Sequence, residues 1–110
     1  MAKLGVVRFT GKSGNQYKFN AYPLRTAFKK GMAGVYVVTV RRQVEGTGAF
    51  RHKHICLGQT DDLRQPLTGD GKSFAERGAN CICVHSERDK TARLGIEQDL
   101  IGKYHSAGNA

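Results

Sequence analysis

Val35-Tyr36-Val37-Val38-Thr39-Val40 places a β-branched side chain at five of six consecutive positions. Two heavy atoms on Cβ crowd the preceding turn of a helix but fit a pleated surface, so the run predicts a strand over Val35–Arg42. Its apolar residues do not alternate with polar ones, and both faces of the strand therefore require burial. Such a strand belongs inside a sheet that is itself covered. A chain of 110 residues can build one core of this kind and not two. With 39% hydrophobic residues and only two prolines, the composition is that of a compact domain.

Around this strand the other elements follow from alternation and punctuation. Leu4–Thr10 and Gln16–Tyr22 read as strands joined by the glycine-bearing loop Gly11–Asn15, a hairpin pattern. Leu24–Lys30 predicts a short helical turn after Pro23, ended by the Gly31–Gly34 stretch. Gln43–Arg51 predicts a flexible connector, and His52–Gly58 a returning strand. The polar segment Gln59–Asn80 predicts at most a short helix near Asp62. Cys81–His85 is a further strand, and Ser86 ahead of Glu87 and Asp89 suits the start of a helix reaching about Tyr104. Ala92, Ile96, Leu100, Ile101 and Tyr104 form its apolar stripe, with Lys90, Arg93, Glu97, Asp99 and Lys103 mostly off it. The expected fold is α+β: a small mixed or antiparallel sheet flanked by helices, one domain over 1–110.

Charge is unevenly placed. Residues 1–53 hold eleven Lys or Arg and one acid, while the remainder holds seven basic and eight acidic residues. A half that basic attracts polyanions, with DNA or RNA the commonest partner, and Lys12, Lys18, Lys29, Lys30, Arg41 and Arg42 are the contacts expected. No stretch approaches the ~20 apolar residues needed to span a bilayer, and the start lacks the long apolar stretch of a secretory signal. The expected setting is the cytosol, without a membrane partner. Three cysteines, two of them in Cys81-Ile82-Cys83, suit reduced thiols better than a disulfide framework.

Gly34-Val35-Tyr36 on one strand, Cys56-Leu57-Gly58-Gln59-Thr60 ending the next, Glu97 on a later helix and Asn109 beyond it together resemble the GIY-YIG endonuclease module. The likeness spans about 34–110; residues 1–33, the N-terminal hairpin, have no counterpart in that core. The stretch Gly78–His85, with Glu97–Ile101, looks closest to small single-domain members without an assigned role. The resemblance implies a tyrosine on each strand, an arginine on the helix after the second, and a glutamate holding a divalent cation, Mg²⁺ or Mn²⁺. Tyr36 matches the first tyrosine, Glu97 the metal ligand and Asn109 the terminal asparagine. Cys56 stands in the second tyrosine slot, and Pro66 where the arginine belongs; Arg64 is two residues short.

Losing one transition-state donor costs on the order of 10²–10³ in rate, so the departures imply a degenerate site that binds nucleic acid and cuts weakly or not at all. Two alternatives stand beside this reading: a metal-dependent endonuclease using Tyr36 and Glu97, and a protein-interaction domain on a retired nuclease scaffold. Plainer roles are also open, with Tyr36 a rim aromatic, Glu97 paired with Arg93 one turn back, and Asn109 part of a loose tail. Phosphate docking near the catalytic remnant further requires that the positive half share a surface with Tyr36 and Glu97.

By period two, His52, His54 and Cys56 fall on one face of their strand, as do Cys81, Cys83 and His85. If the two faces met across paired strands, Zn²⁺ ligands would converge. Neither spacing matches an established zinc motif, and buried cysteine also serves cores as a small hydrophobe.

Overall fold

The computed structural model describes residues 3–104. Its elements run β1 (Gly5–Thr10), β2 (Gln16–Pro23), β3 (Gly34–Gln43), β4 (Phe50–Thr60), α1 (Arg64–Glu76), β5 (Cys81–Ser86) and α2 (Lys90–Lys103). The strands form one antiparallel sheet in the order β1-β2-β5-β3-β4. The valine-rich strand lies between β5 and β4, and Val35, Val37, Val38 and Thr39 are all 0% exposed.

Two-sided burial follows from helices on opposite faces. Val35 and Val37 pack with Phe9, Phe19, Leu57 and Leu100, so α2 covers that face. Val38 packs with Ile55, Leu63, Phe74 and Ile82, so α1 covers the other. On the α2 side the sheet curls until its edges meet, bringing the rings of Phe9 on β1 and His54 on β4 to 5.0 Å, edge to face. No helix among the described residues is long and apolar enough to cross a membrane.

Several expectations are corrected. Polar Gln59–Asn80 holds not merely a short helix near Asp62 but the 13-residue α1. Burial drives it: Leu63, Leu67 and Phe74 make one narrow stripe against the sheet, and the Leu63 N–H donates to the Met32 carbonyl at 2.9 Å. Gly78 closes it in the left-handed region (φ 88°), its N–H donating to Ala75 while Ala79 donates to Phe74, the paired bonds of a Schellman cap. The last helix begins at Lys90, not after Ser86. Ser86 ends β5 opposite Gly34, and the Asp89 carboxylate caps the helix by accepting from the Ala92 N–H at 2.9 Å.

Leu24–Lys30 forms no helix. The Thr26 N–H closes a single turn on the Pro23 carbonyl, and the chain then runs irregularly with Leu24 and Phe28 buried. The Gln43–Arg51 connector is a hairpin instead: β3 extends to Gln43 and β4 starts at Phe50, leaving the loop 44–49, closed by Val44 donating to Ala49 at 2.7 Å. Arg93, expected off the stripe of α2, is 4% exposed.

Candidate nucleic-acid interface

Both glycines of the two strand motifs are required by close packing. Tyr36 lies directly opposite Gly58, and a Cβ on Gly58 would sit 2.5 Å from the phenol oxygen. A Cβ on Gly34 would sit 2.7 Å from the His85 carbonyl oxygen. Only glycine lets these backbones and the ring approach so closely. Gly58 thereby seats Tyr36, which shares the α1 side of the sheet with Cys56.

Burial pushes the Tyr36 phenol up to about 12, and the negative charges available to Cys56, Glu97 and Asp70 push in the same direction. Burial also raises the Cys56 thiol, partly offset by the Arg77 guanidinium. Glu97 is raised by burial against an opposing hydrogen bond from the Gln59 N–H. Two of the expected site residues, Tyr36 and Cys56, thus lie within the field of a third, Glu97. At neutral pH the first two are protonated and can donate, but neither is a ready base. Sequence reading missed Asp70 and Arg77, since both depend on the unforeseen length of α1.

Arg64 does not stand in for the missing arginine. Asp62 holds its guanidinium bidentately, Nη2 to Oδ2 at 2.7 Å and Nε to Oδ1 at 3.1 Å, and the side chain is 45% exposed. That pairing holds the Asp62 carboxyl down to about 2. Pro66 sits in the first turn of α1, where its missing N–H costs nothing. The cation that acts on Cys56 is Arg77, whose Nη2 donates to the Ile55 carbonyl at 3.3 Å. Asn109 lies outside the described residues.

Nor does Glu97 pair with Arg93. Buried Arg93 donates through Nε to Gln59 Oε1 at 2.9 Å and through Nη1 to the carbonyls of Arg88 at 2.7 Å and Glu87 at 3.1 Å. Arg64–Asp62 is the one ion pair among the described residues, so the Arg93 charge has no carboxylate against it. It lines a pocket of about 260 Å³ with Gln59, Thr60, Asp61, Gln65 and Lys90. Arg93 and Lys90 set two cations against the one carboxylate of Asp61 in this lining, a balance that suits an anion.

The six basic residues divide between the two ends of the sheet. Gly34 is level with Thr60 and Ser86, and this end carries Tyr36, Gln59 and the Arg93 pocket. Lys29 and Lys30 line a cavity of about 550 Å³ there with Ser86 and Arg88. Asn20 pairs with Val84, bringing Lys18 level with the same end, and His85 Nδ1 donates to the Lys18 carbonyl at 2.8 Å. Lys12, in the β1–β2 turn, donates its N–H to the Asp99 carbonyl of α2 at 3.0 Å. Arg41 and Arg42 lie at the opposite end, beside the 44–49 hairpin, with Arg41 3.5 Å above the Phe50 ring. The single continuous basic surface expected of all six is therefore corrected to four residues at the Tyr36 end and two away from it.

Of the two carboxylates whose charge reaches Tyr36 and Cys56, Glu97 and Asp70, Glu97 is the one expected to hold Mg²⁺ or Mn²⁺. Hard ions of this kind keep several waters and need few protein oxygens, so Glu97 fits as a lone anchor beside a bound phosphate. Among the described residues, the one group of three or more metal-ligating side chains lies elsewhere, at His52, Cys81 and Cys83. Cys56 is not with them: Val38 pairs with Cys56 but Thr39 with His54, and the Ile55 bulge turns Cys56 toward α1. His54 stacks on Tyr104 at 4.4 Å, its imidazole lowered by burial and by His52.

No protein-family model, curated protein or solved structure matches the chain. What the molecule does has to be read from its own side chains.

Proposed function

We propose that this chain is a nucleic-acid-binding module on a GIY-YIG-like scaffold, gripping the phosphate backbone with weak or no phosphodiesterase activity. The observation that carries the reading is Arg93, a buried guanidinium with no carboxylate partner, lining a polar pocket beside Lys90. Its bonds to Gln59, Arg88 and Glu87 satisfy donors without supplying an opposite charge, which a phosphate oxygen in the pocket would add through charge-assisted bonds. Lys12, Lys18, Lys29 and Lys30 at the same end extend the positive field along a strand of nucleic acid. The scaffold half is supported by Tyr36 and Cys56 sharing the α1 side of the sheet within the field of Glu97. Weak chemistry follows from the protonated phenol and thiol and from the commitment of Arg64 to Asp62. A cytosolic setting goes with the three free cysteines.

Fluorescence anisotropy with labelled single- and double-stranded DNA and RNA tests the reading. Affinity is expected to fall steeply between about 50 and 200 mM salt, and Lys29→Glu with Lys30→Glu to reduce the log–log salt slope by about 2. No binding at about 50 mM salt would overturn it. Efficient Mn²⁺-dependent nicking abolished in Glu97→Ala would favour the endonuclease instead, and intact substrate with a captured protein partner the interaction domain.

A further inference from the structure

The α2-side core holds an anomaly that the proposed function does not use. Cys81, Cys83 and Thr39 are each 0% exposed, yet they bring two thiols and a hydroxyl against the imidazole of His52. Thr39 Oγ1 lies 2.8 Å from His52 Nδ1, and Cys83 Sγ lies 3.8 Å from Nδ1 and 3.9 Å from Cys81 Sγ. Sequence periodicity puts both thiols on one face, but β3 separates β5 from β4, so the curled sheet is what delivers His52 to them. A core that needed only volume would be filled by Val or Ala, without polar atoms to satisfy.

We propose that His52 Nδ1, Cys81 Sγ and Cys83 Sγ form a binding site for a thiophilic d¹⁰ metal ion, Zn²⁺ or Cu⁺. All three donor atoms lie within 4.8 Å of one another. Two sulfurs each about 2.3 Å from one ion are ~3.8 Å apart at a tetrahedral angle and ~4.0 Å at a trigonal one. The observed 3.9 Å falls between these, so an ion enters without moving the strands. Thiolate and imidazole donors select soft and borderline ions over Mg²⁺ or Ca²⁺. The Thr39 hydroxyl, bonded to the same nitrogen, rotates away from Nδ1 as the ion takes that lone pair. Access runs past His52, which with Arg8, Ala21, Arg41 and Phe50 lines an open cavity of about 380 Å³. Bound there, the ion ties β4 to β5 across β3 and is structural in role.

The test loads the reduced full-length chain with Zn²⁺ or Cu⁺ alone, each against a graded chelator, and with Cd²⁺ as a probe of thiolate charge-transfer absorption. A single tightly held ion per chain, a higher Tm and protection of Cys81 and Cys83 from alkylation are expected. The ion retained against the stronger chelator identifies the native one. His52→Gln should weaken binding about 10-fold or more, and Cys81→Ser or Cys83→Ser abolish it. Circular dichroism of each metal-free variant confirms that it folds, and the alkylation result in the unmutated chain needs no variant. Failure of the folded, reduced chain to take up either ion, undiminished uptake by His52→Gln, or closure of the two thiols to a disulfide without uptake would overturn the proposal. Nucleic-acid binding is read separately and need not change.

Discussion

At Val38 and Thr39 the two faces of β3 are equally buried and chemically unlike. Toward α1, Val38 meets Ile55, Leu63, Phe74 and Ile82, all hydrocarbon. Toward α2, the next residue, Thr39, meets His52 among Cys81 and Cys83, with His54 and Tyr104 nearby. An apolar face contributes to stability through packing alone. A polar cluster in a core gains little on balance and loses much if one member is left unpaired, so it points to a ligand more readily than to stability.

Truncating the apolar face gives the largest effect. Phe74→Ala removes the ring that anchors α1 and should cost about 3–5 kcal/mol in chemical denaturation. A much smaller loss would mean that α1 is not held by this packing, and that the two faces differ less in what they contribute to stability. Exchanging the chemistry of neighbouring residues sharpens the contrast further. Thr39→Val leaves His52 Nδ1 with only the weak contact to Cys83 Sγ, and Val38→Thr buries a hydroxyl among hydrocarbon; each should cost about 1–3 kcal/mol. Thr39→Val should nonetheless retain metal, since the hydroxyl is not among the three donors. A neutral Thr39→Val would show that the bond to His52 carries no weight.

The smallest effect is a pH dependence. The folded-state value of His54 is depressed below 6.5 by burial, so the unfolded chain binds its proton more readily. The stability tied to neutral His54 is therefore full above that value and is lost as pH falls through the folded one. Thermal unfolding from pH 8 to 5 should show this decline, reduced in His54→Gln. An unchanged slope in that variant would remove His54 as its cause.

Tyr36, Cys56 and Glu97 could be named from motif and spacing, as could the α2 stripe of Ile96, Leu100 and Ile101. Asp70 and Arg77 could not, because Gly69, Gly71 and the polar residues around them carry little intrinsic helical signal and α1 exists by docking Leu63, Leu67 and Phe74. Arg93 was hidden for the opposite reason. An arginine on a helix is ordinarily solvated, and only the chain segment at Glu87–Arg88 and the side chain of Gln59 show that this one is enclosed.

By itself the sequence determined that Val35–Arg42 is a strand, interior and covered on both sides as far as Thr39, and that Cys81 and Cys83 share a face, since both follow from local sterics and the twofold period of extended chain. Only the tertiary structure decided that His52 joins those cysteines while Cys56 does not, and that Arg41 and Arg42 part from the four lysines. One extra residue, Ile55, reverses which face the β4 residues on either side of it present, and the distance between charges on separate elements exists only once the sheet has curled and the helices have docked.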